Sequence, residues 1–257
     1  TAIIGGALIA ILGGCKVQIG GPAGAFIVIV YGIVHTYGLN NLLIIMAMSG
    51  VLLFLMGLLR FGGLIKHIPD TVILGFTNGI AVLIFTSQLK EFFGLTLNLP
   101  ADFIGNISAI TTHISEFRSS TLMTSIACLL FLFMWRKIKI YNSVIGSVPE
   151  ILVVMVISTL VVRMFNIPIE TIGTRFGGVP NHFPDFNVPD IVNADISKLW
   201  VPIFTLAILG AIESLLCARV ADTITRDQHD SNQELIGQGI TNFLLPFFGG
   251  MPATGTI

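Results

Sequence analysis

The chain has 257 residues, of which 54% are hydrophobic and only 11% are charged, and its formal net charge is −1. Soluble domains carry about 25% charged residues, so this composition, with a mean hydropathy of +0.90, excludes a soluble globular protein and indicates an integral membrane protein. The near-neutral charge argues against a nucleic-acid partner. The three cysteines are scattered through apolar sequence and predict neither a disulfide framework nor a metal site.

Long apolar runs between polar loops predict an all-α, multi-pass protein, because a spanning helix needs about 20 mostly apolar residues. In chain order we predict a helix end at 1–14, an extended stretch at 15–20, a short helix at 23–38, spans at 40–60, 70–93, 119–136, 147–165, 199–220 and 233–248, and a half-helix from 252 onward. The connections at about 94–118 and 166–198 are long, and the second is predicted to be irregular. Because the chain opens inside an apolar segment and stops just after a helix-start signal, we expect it to be an internal part of a longer protein.

The distribution of lysine and arginine predicts the orientation of the spans. Alternation of the spans places one group of basic residues on the same side: Lys16, Arg60, Lys66, Arg136, Lys137, Lys139, Arg219 and Arg226. The remaining basic residues fall in the long connections, which count little in this rule. We therefore predict that the short basic loops are cytoplasmic and that the long connections are external.

Two similar stretches interrupt the apolar sequence: Gly20–Phe26 reads GGPAGAF and Gly249–Ile257 reads GGMPATGTI. A packing kink would explain either break alone. Paired Gly/Pro breaks indicate a transporter binding site, because a helix that starts inside the bilayer exposes N–H groups that lipid cannot satisfy. The helix dipole favours an anion as the ligand. The N–H groups predicted to converge on one anion-binding cavity near the midplane are those of Ala23, Gly24, Ala25, Phe26, Thr254, Gly255, Thr256 and Ile257.

Glu213 lies well inside the apolar run Leu206–Leu216. A charge there costs about 3 kcal/mol or more, so it is rare and usually functional. We predict that Glu213 faces the cavity and carries a coupling proton or helps to hold Na⁺. The alternatives are a structural carboxyl held by hydrogen bonds and one that reaches the cytoplasmic interface.

The polar stretch that opens the last predicted span has a structural interpretation. Ser231 or Asn232 suits the N-cap of this helix, and Glu234 suits its first turn. Gly237 and Gly239 allow close helix packing. The five histidines are dispersed and are expected at the surface, and the sequence holds no recognisable Ser/His/Asp set, P-loop or zinc spacing. The protein is therefore predicted not to be an enzyme and to hold no cofactor or metal.

Several stretches resemble the SulP family, the sulfate-permease-like anion transporters. They are Val17–Val28 (the family's third segment), Ile68-Pro69 and Gly75–Ile80 (fifth segment), Ala211–Leu216 (eighth segment), Asp230–Gly239 (before segment nine) and Phe248–Gly255 (start of segment ten). The resemblance runs along the whole chain, and the stretch 211–255 is its most specific part.

The resemblance implies an all-α polytopic fold of two inverted seven-segment repeats, with short extended stretches before half-helices three and ten. The chain then covers late segment two to early segment ten of one transmembrane transport domain, with the first repeat at about 1–165 and the start of the second at about 199–257. A C-terminal STAS domain is not part of this sequence. The substrate anion is implied to lie between the facing N-termini of the two half-helices, and a homodimer of the full-length protein is a further expectation.

The sequence therefore predicts a secondary active transporter of inorganic oxyanions, of the sulfate or bicarbonate class, in a bacterial inner membrane. The anion and the coupling ion, H⁺ or Na⁺, stay open. The alternatives are a nucleobase–cation symporter of the same fold, which needs side chains that read a base edge, and an anion channel, which lacks trans-stimulation. An intramembrane enzyme needs a nucleophile–base pair or a metal cluster within the spans. We also expect the 257 residues alone not to transport, because alternating access needs the rest of the moving interface.

Overall fold

The structure, a computed structural model, describes residues 1–24, 26–67, 70–97, 100, 103–141, 148–178, 184–191 and 194–256. The chain forms two compact units. Unit 1 consists of Thr1–Ala81 and Phe183–Ile257, and unit 2 consists of Val82–His182. Helices dominate the described residues of both units, and one pair of short strands belongs to unit 1.

The helices follow the predicted apolar segments. In chain order the elements are α1 (Ala2–Leu12), β1 (Ile19–Pro22), α2 (Phe26–Tyr37), α3 (Leu39–Leu58), α4 (Asp70–Phe93), α5 (Phe103–Thr112), α6 (Ser119–Tyr141), α7 (Glu150–Met164), α8 (Ile172–Phe176), α9 (Trp200–Thr225), α10 (Ser231–Leu244) and β2 (Ala253–Thr256). Short 3₁₀ helices lie at Phe61–His67, Ile114–Glu116, Ile196–Lys198 and Leu245–Phe248. The predicted helical segments up to 248 are confirmed to within a few residues.

The connection at 94–118 differs from the sequence prediction because it contains α5. This helix carries isoleucines at 104, 107 and 110, spaced as on one helix face, and Ile110 is buried. With 10 residues it is too short to span a bilayer, so a criterion based on span length misses it. Where it is described, the connection at 166–198 is largely irregular, as predicted, apart from α8 and one 3₁₀ turn.

Helix α9 is central to unit 1 and packs against α3, α10 and β2. Small buried residues, among them Ala207, Gly210, Ala211 and Ala218, allow these elements to approach its axis closely. Bulkier buried side chains such as Leu215 fill the remaining space in the core. Strand β2 therefore rests directly on the helix that carries Glu213.

Glycines bring α10 into backbone contact with its neighbours. A Cβ atom at Gly239 would lie 2.4 Å from the backbone nitrogen of Phe54 on α3. One at Gly237 would lie 2.8 Å from the backbone nitrogen of Gly13, directly after α1. The predicted role of both glycines in close helix packing is confirmed.

Three of the basic loops predicted to share one membrane side meet at one end of unit 1. Lys16 Nζ lies 2.9 Å from Asp227 Oδ2, which joins the α1–β1 loop to the α9–α10 loop. The backbone N–H of Gly62 donates to Asn232 Oδ1 at 3.1 Å, which adds the segment after α3. That this end is cytoplasmic stays a prediction.

Unit 2 is built around α6 and α7, which pack along an apolar groove of about 370 Å³. At one end of the unit, Arg175 on α8 forms an ion pair with Glu91 on α4. Its Nη1 atom donates to Glu91 Oε1 at 3.0 Å and to Oε2 at 2.9 Å. The apolar residues of α6 and α7 are largely exposed, as for Phe133 and Met164. Large exposed apolar surfaces are covered by lipid or by other protein.

Three helices in the described part of the chain are long and apolar enough to cross a bilayer. They are α3, residues Ser119–Lys137 of α6, and α9. With the composition and the exposed apolar surface of unit 2, these helices identify an integral, multi-pass membrane protein.

Candidate functional site

The two Gly/Pro breaks lie side by side. Strands β1 and β2 pair antiparallel, with Ile19 opposite Thr256 and Pro22 opposite Ala253. The Thr256 hydroxyl also donates to the Ile19 carbonyl oxygen at 3.1 Å, across 237 residues of sequence. Because the strands are antiparallel, the chain passes through the two breaks in opposite directions.

The first break changes from strand to helix within a few residues. Ala23 is buried, Gly24 is exposed, and α2 begins at Phe26, while Ala25 lies outside the described residues. The N–H of Phe26 donates to the Ala23 carbonyl oxygen and that of Ile27 to the Gly24 carbonyl oxygen, both at 3.1 Å. Of the predicted N–H donors at this break, that of Phe26 is therefore already engaged.

The second break does not start a helix at 252, so this element of the prediction is wrong. Ala253–Thr256 form strand β2, and Ile257 lies outside the described residues. The physical reason is that the strand has a partner on each edge, β1 on one and side chains from α9 and α10 on the other, which stabilises extended backbone. Thr254, Gly255 and Thr256 therefore hold strand positions instead of the first turn of a helix.

One edge of β2 is bound by side chains from α9 and α10. The Asn242 amide pairs with both backbone groups of Ala253: Oδ1 accepts from its N–H at 2.9 Å, and Nδ2 donates to its carbonyl oxygen at 2.8 Å. The N–H of Gly255 donates to Ser214 Oγ at 3.0 Å. Successive N–H groups of a strand point to opposite edges, so those of Thr254 and Thr256 face β1. The hydroxyl oxygen of Thr254 is buried and has no hydrogen-bond partner among the described residues.

Glu213 lies on α9, next to Ser214, and is half-buried. Its Oε2 atom is buried and has no hydrogen-bond partner among the described residues. A buried carboxylate oxygen without a donor is costly and calls for a functional explanation. The predicted coupling residue is thus one position along α9 from Ser214, which bonds to β2. That Glu213 faces an anion cavity stays a prediction.

Glu234 contrasts with Glu213, because its carboxylate is completely buried and fully bonded. Its Oε2 atom accepts from the N–H groups of Gly14 (2.8 Å) and Cys15 (3.3 Å), and its Oε1 atom accepts from Gln238 Nε2 at 3.0 Å. It also lies in the first turn of α10, where the helix dipole stabilises a negative charge. The predicted first-turn position is confirmed, and the side chain additionally fixes the segment after α1.

The junction of α9 and α10 contains a hydrogen-bonded chain of Asp222, His229 and Ser231. His229 Nδ1 lies 2.7 Å from Asp222 Oδ2, and Nε2 lies 2.8 Å from Ser231 Oγ. The expectation of dispersed surface histidines and no Ser/His/Asp set is therefore wrong here, since the His229 side chain is only 7% exposed. Arg226, with a φ of 59°, ends α9 and turns the chain back, which sequence spacing does not reveal.

The N–H groups that directly follow Ser231 in the chain are not free to act as oxyanion donors. An acyl-transfer site needs N–H groups free to stabilise a developing oxyanion. The N–H groups of Asn232 and Gln233, which follow Ser231, both donate to Asp230 Oδ1, at 2.9 and 3.1 Å. Asp230 is the N-cap of α10, one residue before the predicted cap. We interpret the cluster as a helix junction.

Sequence reasoning identified Glu213 and the two breaks but missed the side chains that hold them. Gln18 and Ser214 fall inside motifs that stand out for their glycines and for Glu213, and Asn242 ends the polar stretch for which the sequence favours a structural role in capping and packing. The available signal was polarity: a buried serine and asparagine in apolar spans need partners. Which partners they find depends on the long-range pairing of β1 with β2.

Comparisons with known proteins agree along the whole chain. The sequence profile of the sulfate permease family matches residues 1–257. YvdB of Bacillus subtilis (strain 168), which carries the name of a sulfate transporter, is 42% identical over 100% of this chain and 48% of its own length. The bicarbonate transporter BicA of Picosynechococcus sp. is 29% identical over 99% of this chain and 45% of its own length.

The fold is also that of a solved transporter domain. The transmembrane domain of a cyanobacterial bicarbonate transporter BicA superposes with a TM-score of 0.78 and 26% identity, covering 99% of this chain and 65% of that one. The chain spans about half the length of the curated relatives that it matches. On the evidence of the family profile and these relatives, the chain belongs to the sulfate permease family.

Proposed function

We propose that the protein is a secondary active transporter of small inorganic oxyanions, of the sulfate or bicarbonate class, and that the paired breaks form its anion site. The observation that carries this proposal is the antiparallel pairing of β1 with β2, together with the packing of β2 against α9, the helix that carries Glu213. Two broken segments meeting inside a membrane domain are the arrangement that transporters use for substrate binding. The names of the sulfate and bicarbonate transporters among its relatives support the same class of substrate.

The anion lies in front of α2, at Ala23–Phe26, and against the β2 residues Thr254–Thr256. The start of α2 supplies partial positive charge without a buried lysine or arginine, so that binding stays reversible. The unpartnered hydroxyl of Thr254 supplies a donor of the kind that an oxyanion accepts. A second half-helix after Thr256 would face α2, because β2 runs antiparallel to β1.

An inverted-repeat organisation is part of this proposal. Inverted repeats pass through the membrane with opposite sense, so their equivalent breaks meet in opposite directions. The antiparallel register of β1 and β2 supports that relationship. We retain the first repeat at about 1–165 and the start of the second at about 199–257, within one transport domain.

Glu213 serves as the coupling residue in this mechanism. Its unpartnered Oε2 can take up a proton or contact Na⁺, and either event neutralises a costly buried charge next to the anion site. Neutralisation and anion binding then favour each other, which is the basis of symport.

Specific observations count against the alternative functions. A nucleobase symporter needs side chains that read a base edge, whereas the breaks offer glycine, alanine and threonine. An enzyme based on Asp222, His229 and Ser231 would lack free oxyanion donors, since Asp230 occupies them. An anion channel is distinguished from a carrier by the measurement of trans-stimulation described next.

The test is uptake of radiolabelled sulfate and bicarbonate by liposomes that contain the full-length protein, with competing anions and with varied pH and Na⁺. We expect saturable uptake that is stimulated by the same anion on the opposite side, because a carrier returns faster when loaded. Uptake without saturation or trans-stimulation would indicate a channel and contradict the proposal. Liposomes that contain only these 257 residues are expected to show no saturable uptake.

A further inference from the structure

Ser214 binds to both breaks from the centre of α9. Its hydroxyl oxygen accepts the N–H of Gly255 on β2 at 3.0 Å. Its carbonyl oxygen accepts Gln18 Nε2 at 2.8 Å, and Gln18 directly precedes β1. The residue is fully buried. A single residue next to Glu213 is therefore hydrogen-bonded to the segments that hold each half of the proposed anion site.

Hydrogen bonds and close packing link the positions of three residues: Gln18, Ser214 and Gly255. A Cβ atom at Gly255 would lie 2.5 Å from Gln18 Oε1, so a larger residue at this position of β2 would force the Gln18 side chain to shift. The bond to the Ser214 carbonyl fixes the orientation of the Gln18 amide. Its Oε1 atom is buried against Gly255 without a hydrogen-bond partner among the described residues. A shift of Ser214 along the axis of α9 would therefore displace Gln18 and Gly255 together.

The two N–H groups on the outer edge of β2 are bonded by side chains from two different helices. Ala253 and Gly255 point their N–H groups away from β1, to Asn242 on α10 and to Ser214 on α9. The hydrogen bonds of Asn242 anchor the beginning of β2 to α10, which does not carry Glu213. In the described residues, the hydrogen bond from the Gly255 N–H to Ser214 Oγ connects β2 to α9, the helix that carries Glu213.

We propose that Ser214 is a positioning residue that transmits the state of Glu213 to the anion site. A change in charge at Glu213 alters the preferred position of α9 at that point, and Ser214 passes the displacement to β1 through Gln18 and to β2 through Gly255. Coupling between two sites is a free energy, and it is reciprocal. This inference rests on the proposed transport function and on the coupling role of Glu213.

The test compares variants of the full-length protein in the liposome uptake assay. The quantity measured is the coupling ratio, defined as the KM for sulfate or bicarbonate without the coupling cation divided by the KM with it, in series of Na⁺ and of pH. Ser214→Ala removes the acceptor of the Gly255 N–H and keeps the carbonyl. We expect its coupling ratio to fall toward one, by roughly two- to tenfold, the range for loss of one hydrogen bond.

Matched variants separate positioning from a structural role. Ser49→Ala removes another buried helical hydroxyl, which donates to the Met46 carbonyl oxygen in its own helix, and is expected to keep the wild-type ratio. Ser214→Thr keeps the hydroxyl and is expected to restore the ratio. Gln18→Leu breaks the second contact and is expected to lower it, which keeps the inference testable if Ser214→Ala does not fold.

Each outcome bears on the inference or on the proposed function separately. Saturable uptake with an unchanged coupling ratio in both Ser214→Ala and Gln18→Leu would overturn the inference and leave anion transport intact. A wild-type ratio of one under both cations would also overturn it. Absence of saturable uptake by the wild-type protein would instead contradict the proposed function itself.

Discussion

Two glutamates on neighbouring helices of unit 1 differ in the burial and in the hydrogen bonding of their carboxylates. Glu234 on α10 is completely buried, yet each carboxylate oxygen has a donor. Glu213 on α9 is only half-buried, yet one of its oxygens is enclosed without a partner among the described residues. Burial alone therefore does not separate a structural carboxylate from a functional one.

The difference lies in the bonds that the surroundings provide. Glu234 connects α10 to the segment after α1 and offers little capacity for another ligand. Glu213 has a carboxylate oxygen without a donor among the described residues, which is what the proposed coupling role requires. A satisfied carboxylate contributes to stability, whereas an unsatisfied one costs stability and persists where function requires it.

The comparison predicts its largest effect on stability at Glu234. Glu234→Leu leaves the N–H groups of Gly14 and Cys15 and the amide of Gln238 without their acceptor. Because each unsatisfied buried donor costs about 1–3 kcal/mol, we expect the free energy of unfolding to fall by about 3 kcal/mol or more. Thermal unfolding of the purified full-length protein in detergent measures the change. Glu116→Leu, at an exposed carboxylate, is the matched control, and equal melting temperatures for the two variants would contradict the assignment.

A smaller loss is expected for Gln238→Leu. This change removes one of the donors to Glu234 but also removes the buried Oε1 atom of Gln238, which has no hydrogen-bond partner among the described residues. The two effects partly cancel, so we expect a loss of about 1 kcal/mol, well below that of Glu234→Leu. The same unfolding assay ranks the two variants. A loss at Gln238 as large as that at Glu234 would show that the backbone contacts to Gly14 and Cys15 contribute little.

Glu213→Gln is expected to have almost no effect on stability and a large effect on coupling. The amide keeps the shape and removes the charge, and no bonded partner of Oε2 is lost among the described residues. We expect the melting temperature to stay at or above the wild-type value, while anion uptake loses its dependence on pH and Na⁺. Uptake with unchanged dependence on both would reject the coupling role.

Lys16→Met is expected to have the smallest effect. The Lys16–Asp227 ion pair is exposed, and such pairs contribute little. The hydrogen bond from Lys16 lowers the pKa of Asp227, so any stabilisation is present above the ordinary pKa of an aspartate and is lost as pH falls through the lowered value. The variant and the wild type should therefore have indistinguishable melting temperatures in acid. A clear difference persisting at pH 2 would show that Lys16 acts through another contact.

The sequence predicted the helices of unit 1 well because long apolar runs and Gly/Pro breaks are local signals. It identified Glu213 as a candidate site residue for the same reason, since a charge inside an apolar run is visible without knowledge of the fold. It did not predict strand β2, whose extended form depends on β1, Asn242 and Ser214, which are distant in sequence. The His229 cluster was missed because it forms only when the chain reverses at Arg226.

The central claim is that the anion binds at the paired breaks, and protection of an introduced cysteine tests it most directly. Gly21 lies opposite Thr254 in the strand pair, and a Cβ atom there would meet no other atom within 4 Å. Gly21→Cys is made in the full-length protein with Cys15, Cys128 and Cys217 replaced, and its modification by a small charged thiol reagent is timed in liposomes. The account predicts that the transported anion slows modification with a concentration dependence that follows its KM, and that anions that do not compete for uptake have no effect. A rate that is the same with and without the transported anion would contradict the placement of the site.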